Sequence, residues 1–212
     1  MFKRRTPRSY FQVVTDFVYP RGGWTRAARY VGHRLHRLPD PAYKISRGIA
    51  CGVFVCFTPF FGLHFLMSAA LAWLIRGNVV AALLATFFGN PLTFPFIAGI
   101  SVELGQFMLG YDEPLPLPRI FGAFSNASVE MWQNVHAIFT PEPTHWERLG
   151  DFVVQVLLPY TVGGLIPGLI AAGISYAASR PLIGAYQKAR IHRMKKNFAK
   201  RRVKADAALK AD

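Results

Sequence analysis

The chain has 212 residues, of which 52% are hydrophobic, 14% aromatic and only 17% charged, and its formal net charge at pH 7 is +14. Soluble domains carry about 25% charged residues, so this composition disfavours an ordinary water-soluble globular protein. The basic residues concentrate at the two ends, because residues 1–47 and 180–212 each contain 11 Lys or Arg and 2 Asp or Glu, whereas residues 48–179 contain 3 and 7. Basic segments that flank an apolar middle are typical of the cytoplasmic parts of membrane proteins, and they disfavour a nucleic-acid interface.

The basic N-terminal region, residues 1–47, contains a predicted amphipathic helix from Trp24 to Leu38. Apolar residues recur on one side of this helix, and four arginines occupy the other side: Arg26, Arg29, Arg34 and Arg37. A basic amphipathic helix with an aromatic residue at its start favours the plane of the lipid headgroups. We therefore expect these arginines, together with Arg47 and Arg76, to contact headgroups. The alternative is a soluble helix that packs on its own chain.

Residues 48–75 form the first apolar stretch, with 28 positions that contain no Asp, Glu, Lys or Arg. A straight helix of that length would measure about 42 Å, longer than the hydrocarbon core of a bilayer. An interior proline at position 59 costs a helix about 3 kcal/mol and frees carbonyl groups. The sequence therefore predicts two half-helices that meet at a break, whose candidate functional residues are Thr58, Pro59, Gly62 and His64. We interpret His64 as a hydrogen-bonded packing residue rather than a metal ligand.

A tight turn is predicted at Arg76-Gly77-Asn78, and the second apolar stretch follows it over residues 77–111. The segment Gly89-Asn90-Pro91-Leu92-Thr93-Phe94-Pro95 interrupts this stretch. The structural interpretation is that Asn90 and Thr93 cap two half-helices. The functional interpretation is that the broken helix ends direct partial charges at an ion or a headgroup. The candidate functional residues of this segment are Gly89, Asn90, Pro91, Thr93 and Pro95.

Glu103 is the one acidic residue between positions 41 and 111. A carboxylate within a membrane costs about 2.5–3.5 kcal/mol on insertion scales, so it is a candidate functional residue by default. The alternative is that Glu103 lies at the membrane interface, where the cost is smaller.

The remainder of the chain divides into three parts. Residues 112–151 are acidic and predict an external loop, with helical spacing over 119–139. Residues 152–179 form the third uncharged stretch, in which Pro159, Gly163-Gly164 and Pro167-Gly168 predict a further break. Residues 180–212 form a basic cytoplasmic tail.

Two basic ends on the cytoplasmic side require an even number of membrane crossings. Three apolar stretches therefore require that one of them folds back. If the turn at Arg76 is cytoplasmic, residues 48–75 form a re-entrant hairpin, residues 77–111 cross outward and residues 152–179 return. The rival arrangement has the first stretch crossing and the second stretch re-entrant.

Small residues and cysteines complete the pattern. Gly48/Gly52 and Gly164/Gly168 match the spacing that lets membrane helices approach closely, which predicts packing within one bundle. The only cysteines, Cys51 and Cys56, match neither a redox pair nor a zinc spacing, so we expect buried, inert thiols.

Two linked groups of residues resemble the motifs of one bacterial family. The first group is Arg47-Gly48-Ile49-Ala50, Gly52-Val53-Phe54, Phe57-Thr58-Pro59-Phe60-Phe61-Gly62-Leu63-His64 and Arg76-Gly77-Asn78; the second is the segment from Gly89 to Pro95. The family is a bacterial inner-membrane group known as a domain of unknown function, and the resemblance covers roughly residues 20–180. Tyr19-Pro20-Arg21-Gly22-Gly23-Trp24 resembles its alphaproteobacterial branch. The resemblance implies a membrane domain and no assigned reaction.

The predicted fold is all-α, an integral helical bundle of the bacterial inner membrane with broken, re-entrant hairpin helices, amphipathic basic flanking helices and both termini cytoplasmic. The predicted function is a permeation module or one that handles lipids or small solutes. The alternative is a non-catalytic anchor or scaffold that binds anionic lipid and protein partners through basic tails. No Ser/His/Asp or Cys/His arrangement, phosphate loop or carboxylate pair predicts an enzyme. We expect membrane lipids as partners, no nucleic acid, cofactor or metal, and leave open a homo-oligomer or a membrane-protein partner.

Overall fold

The computed structural model describes residues 23–60, 62–111 and 115–209, without the side chains of Trp24, Ala27, Ala28, His36, Leu117 and residues 200–209. Parts of several predictions therefore lie outside the described residues: residues 1–22 of the basic N-terminal region with most of the Tyr19–Trp24 motif, Phe61 of the first motif, residues 112–114 of the predicted loop, and residues 210–212 of the tail.

Every regular element within the described ranges is helical, which confirms the all-α class. Two of the helices continue directly into a helical turn of a different type, and the last helix begins directly after the second of these turns. The helices are α1 (Gly23–Arg37), α2 (Ala42–Val55), α3 (His64–Leu74), α4 (Val79–Ala85, extended by a 3₁₀ turn Thr86–Phe88), α5 (Phe94–Leu109), α6 (Leu117–Ala137), α7 (Glu147–Phe152, followed by a π-helical turn Val153–Leu157) and α8 (Leu158–Leu209).

The chain divides into two compact units. One consists of Met1–Ala42 and Pro181–Asp212 and therefore contains both basic ends of the sequence. In its described part, the side-chain amide of Gln187 donates to the carbonyl of Asp40 at 2.9 Å, which ties the end of α1 to α8. The other unit, Tyr43–Arg180, contains the three apolar stretches and is called the apolar unit below.

In the apolar unit, α2 and α3 form a hairpin, and α4 then runs beside α2 in the same direction. The backbone N–H of Asn78 donates to the carbonyl of Lys44 at 2.9 Å, so the chain returns to the start of α2 after α3. Gly48 faces the carbonyl of Asn78, and Gly52 faces the carbonyl of Ala82 one turn later. A Cβ at either glycine would overlap these carbonyl oxygens, so the close approach of α2 and α4 requires both glycines.

The helix α8 packs against α5 and against the residues that follow α2, through a pair of adjacent glycines. Gly163 faces α5 at Ser101 and Gly105, whereas Gly164 faces the carbonyl of Phe57 just beyond the end of α2. The predicted break within residues 152–179 is wrong, because α8 continues without interruption from Leu158 through Pro167 to Leu209. The glycines that predicted the break instead provide flat surfaces for packing, and that packing supports a helix which contains proline.

Many buried residues of the apolar unit are small, although larger residues such as Ile45, Ile120 and Tyr160 are buried too, and many of its large apolar side chains are exposed. The small buried residues include Gly48, Gly52, Ser68, Ala72, Ala81, Ala82, Ala98, Ser101, Gly105, Gly163, Gly164 and Gly168. The exposed large residues of the three apolar stretches include Leu66, Trp73, Leu74, Phe96, Phe107 and Leu169. A water-soluble core shows the reverse preference, since burial of large apolar side chains is what stabilises it.

One helix in the described ranges, Glu147–Ala199, is long and apolar enough to cross a membrane by length and composition. Its most apolar window has a mean hydropathy of 1.7 and is only 33% buried, whereas a core helix of a soluble protein would be mostly buried. The shorter apolar helices are His64–Leu74, Val79–Phe88 and Phe94–Leu109.

Candidate functional site: two helix breaks and an apolar groove

The first break lies between α2 and α3, where Pro59 predicted it. The end of α2 tightens through bonds from each backbone N–H to the carbonyl three residues earlier, ending with Thr58 N–H to Val55 O at 3.0 Å. The Thr58 hydroxyl donates to the same Val55 oxygen at 2.7 Å, which satisfies a carbonyl that the break leaves without a helical partner. Gly62 has a φ of +85°, the left-handed region, and its Cβ position is open.

His64, the first residue of α3, closes this break. Its Nε2 lies 3.1 Å from the carbonyl oxygen of Thr58. Because a carbonyl only accepts, Nε2 carries the proton of this hydrogen bond. The contact joins the two half-helices across the turn.

The second break, between α4 and α5, is organised by Asn90. Its side-chain oxygen accepts from the backbone N–H groups of Leu92 and Thr93, at 2.9 and 3.2 Å, which is the bonding of a helix N-cap. Its side-chain nitrogen donates to the carbonyls of Phe87 and Phe88, at 3.3 and 3.4 Å, at the end of the preceding helix. One amide therefore serves the ends of two helices at once.

Thr93 completes this cap. Its hydroxyl oxygen accepts from the backbone N–H of Asn90 at 3.0 Å, as the third residue does in a reciprocal capping box. Pro91 directly follows Asn90, and Pro95 is the second residue of α5, a position in the first helical turn where the missing N–H costs no bond within that helix. The polar groups of the motif are thus engaged in shaping the break.

The structure brings the two breaks together. A Cβ at Gly89 would lie 3.0 Å from Cys56 Sγ, and the rings of Phe57 and Phe88 are 6.3 Å apart. Cys56 is buried and free, as is Cys51, which confirms the prediction that both thiols are buried; their inertness stays a prediction. The Cys56 thiol lies within hydrogen-bond distance of the carbonyls of Gly52 and Thr86, so it bridges α2 and the end of α4.

Glu103 lies apart from the breaks, at an open groove between α5 and the start of α6. The groove has a volume of about 620 Å³, and among the described residues that line it Glu103 alone is charged. Of the predicted break residues, Pro95 alone contributes to the lining. The remaining lining residues are apolar or glycine: Phe96, Gly99, Ile100, Leu115, Pro116 and Ile120.

Two of the predicted headgroup-contacting arginines of the apolar unit lie together. Arg47 stacks over the Tyr43 ring at 5.4 Å and lies 3.5 Å from the carbonyl oxygen of Ile75, the residue before Arg76. Arg76 has a φ of +55° in the tight turn between α3 and α4, and its side chain is exposed. The start of α2 and the turn after α3 therefore form one cationic end of the unit.

The other predicted arginines lie on α1, in the other unit. All four are exposed there: Arg26, Arg29, Arg34 and Arg37. Arg34 donates to the Tyr30 hydroxyl at 2.9 Å and stacks over that ring at 5.4 Å. The exposed faces leave the guanidinium groups available to an anionic surface.

Residues 25–192 match a family described as uncharacterized proteins conserved in bacteria, DUF2062. The chain belongs to this family. No curated protein and no solved structure matches the sequence. The matched range includes both breaks, Glu103 and the cationic residues of the apolar unit, and it ends before the last part of the basic tail. The alphaproteobacterial assignment stays a prediction.

Sequence reasoning missed two buried polar residues of α6. The Glu130 carboxylate, 3% exposed, accepts from the backbone N–H groups of Arg148 and Leu149 in the first turn of α7. One turn further along α6, the Asn134 side chain bonds both the N–H and the carbonyl of His145. The only sequence signal was an acid and an amide four residues apart on a helix with apolar neighbours, which many exposed helices also show.

Proposed function

We propose that the chain is an integral protein of the bacterial inner membrane. The observation that carries this proposal is that helices of the apolar unit meet closely at small residues while many large apolar side chains of the apolar stretches are exposed. Lipid tails solvate large apolar side chains as well as a protein core does, so membrane helices associate instead through small residues that allow close approach. Polar groups at the breaks are satisfied internally, as backbone within a bilayer requires.

The packing also supports the re-entrant arrangement over its rival. Asn78 returns to Lys44, so α2 and α3 begin and end at the same side, while α4, the second break and α5 continue away from it. The later part of α8 runs back toward α2, since Gly164 packs on the Phe57 carbonyl and Gly168, one turn later, packs on both Phe57 and Phe54. In this proposal residues 48–75 fold back, 77–111 cross outward and 152–179 return.

Cationic residues mark the side to which these helices return. The Tyr43–Arg47 pair and Arg76 lie there, and the direction of α8 leads Tyr176 and Arg180 toward the same end, with Arg180 5.9 Å above the Tyr176 ring. Tyrosines favour membrane interfaces, and arginines favour the cytoplasmic side. Both termini are then cytoplasmic, and residues 112–151 lie outside.

Within this membrane domain we propose a non-catalytic activity, the binding of a lipid in the groove between α5 and α6. The volume of about 620 Å³ falls in the range of about 300–1,000 Å³ of small-molecule sites, and the apolar walls suit an acyl chain. The groove is a stronger candidate for handling a ligand than the two breaks, because the side chains of Thr58, Asn90 and Thr93 already bond to the backbone around them.

Topology mapping tests the membrane proposal. Alkaline phosphatase and green fluorescent protein are fused in turn after residues 76, 130 and 205, and the membranes are washed with carbonate. We expect retention in the washed membrane, phosphatase activity after residue 130, and fluorescence after residues 76 and 205. Release by the wash, or the same sidedness for all three sites, would refute the arrangement.

A second candidate function, a scaffold on anionic lipid, is favoured by the unit that contains both basic ends. Its described part exposes the four arginines of α1 and five cations of α8: Lys188, Arg190, Arg193, Lys195 and Lys196. Each cation near an anionic surface contributes about 1 kcal/mol of attraction. Double charge reversal at Lys195 and Lys196 should reduce the phosphatidylglycerol that co-purifies with the protein, and unchanged retention would exclude this role.

A further inference from the structure

The groove between α5 and α6 is formed by one face of α5 and the start of α6. Pro95, Gly99 and Glu103 follow one another at intervals of four residues, and Phe96 and Ile100 lie beside them. This spacing places the five residues on a single helical face. Glycine at position 99 leaves the middle of that face without a side chain, so the space between Phe96 and Glu103 is open.

Glu103 has no partner in this groove. Its exposed carboxylate forms no hydrogen bond with the described residues, and no lysine or arginine among them lies within ion-pair distance. An ionised carboxylate only accepts hydrogen bonds, and the other lining residues, apolar or glycine, offer it no side-chain donor. A cationic donor bound in the groove would supply the missing partner.

Arg119 carries the opposite charge and directly precedes Ile120, which lines the groove. It stands in the first turn of α6, is exposed, and forms no ion pair with the described residues. Two opposite charges that are not paired with each other thus accompany an apolar groove. This arrangement is complementary to a zwitterion that bears an apolar chain.

From this arrangement we infer that the groove binds an aminophospholipid of the surrounding bilayer, with the primary ammonium at Glu103, the phosphate toward Arg119 and an acyl chain along Phe96 and Ile100. The inference rests on the lipid-binding function proposed above and adds the headgroup class. A primary ammonium has three N–H donors for the carboxylate, whereas a quaternary ammonium has none. An anionic headgroup without nitrogen would be repelled by Glu103.

The test uses the full-length protein in nanodiscs that contain a trace of phospholipid with a photoreactive acyl chain. The probes are phosphatidylethanolamine and phosphatidylcholine with identical chains, and cross-linked peptides are quantified by mass spectrometry. We expect the α5 and α6 peptides to be labelled about tenfold more by the ethanolamine lipid, the ratio that one charge-assisted hydrogen bond of about 1.4 kcal/mol provides.

Three variants separate the roles of the groove residues. Glu103→Gln should lower ethanolamine labelling to the choline level, whereas Glu103→Asp should keep the preference. Arg119→Gln should weaken both lipids equally, because both carry the phosphate. Ile100→Trp should fill the groove and reduce both. Glu142→Gln is the matched control, because it makes the same change at an acidic side chain that is 66% exposed and lies outside the groove. We expect this variant to behave as the wild type.

The outcomes distinguish this inference from the proposed function. If neither lipid labels α5 or α6 in the wild type, lipid binding in the groove is refuted. If both lipids label equally in the wild type, or if the ethanolamine preference persists in E103Q with an unchanged helical spectrum, the groove binds lipid but the ammonium assignment is wrong.

Discussion

A methyl group added at Gly52 tests whether the contact between α2 and α4 depends on the absence of a side chain. The Cβ of Gly52→Ala would overlap the carbonyl oxygen of Ala82 and lie 2.7 Å from the Ala85 Cβ. Optimal carbon–carbon separations are about 3.5–4.0 Å, so the two helices must move apart by about 1 Å. A backbone oxygen cannot rotate away as a flexible side chain does, so the helices themselves carry the displacement.

The expected magnitude combines two opposing terms. Overpacking of a close contact costs about 1–3 kcal/mol, and replacing glycine by alanine inside a helix gains about 0.8–1.0 kcal/mol. We expect G52A to be destabilised by up to about 2 kcal/mol, the overpacking cost less the helix-propensity gain. Gly173→Ala is the matched control, because Gly173 also lies inside a helix but its Cβ would meet nothing within 4 Å, and we expect that variant to be stabilised by up to about 1 kcal/mol.

The measurement is unfolding of purified protein in dodecyl maltoside by added sodium dodecyl sulfate, followed by far-ultraviolet circular dichroism. The helix-propensity term is common to both substitutions, so the difference between G52A and G173A isolates the contact. If both variants shift the midpoint in the same direction by similar amounts, α2 and α4 are not in the close contact described above.

Two further predictions use the same unfolding assay, and a third uses amide hydrogen exchange. Asn90→Ala removes caps from two helix ends and should cost about 1–2 kcal/mol, whereas Asn90→Asp, which keeps the acceptor, should cost less; equal losses would contradict the double cap. Glu130→Ala should cost about 1.5–3 kcal/mol, since two backbone N–H groups lose a charged acceptor, and Glu142→Gln should cost almost nothing. Tyr111→Phe removes the 2.9 Å hydrogen bond to the Val154 carbonyl, so amide exchange should accelerate in the π-helical turn; unchanged exchange would show that the hydroxyl does not support it.

Local chemistry made the helix ends around the breaks predictable. Pro59 and the Asn90-Pro91 pair act through bonds to residues within a few positions, so the ends of α2 and α4 and the start of α5 follow from the sequence. The turn at Arg76 follows for the same reason. The amphipathic helix from Trp24 to Leu38 agrees with α1 to within a residue at each end.

Contacts between distant residues account for what the sequence did not predict. Gly163 and Gly164 pack against residues about 60 and 107 positions away, and this packing supports the continuous helix α8. Because such distant contacts are not visible in the local sequence, Pro159 and Pro167 predicted a break that does not occur. The groove at Glu103 also needs the start of α6, whose position relative to α5 no local pattern specifies. The carboxylate was identified as a candidate, but its apolar surroundings were not.

The π-helical turn at Val153–Leu157 sets the rotation of one helical segment relative to the next. Pro159 lacks the N–H that would bond to Val154, and the Tyr111 hydroxyl occupies that carbonyl instead. Each residue of an α-helix turns the chain by about 100°, so the length of this turn decides which way α7 faces when α8 is fixed by its glycines. Deleting one residue there would turn the amides of Arg148 and Leu149 away from Glu130. A change of one residue in the length of the π-helical turn would therefore break the contact between α6 and α7.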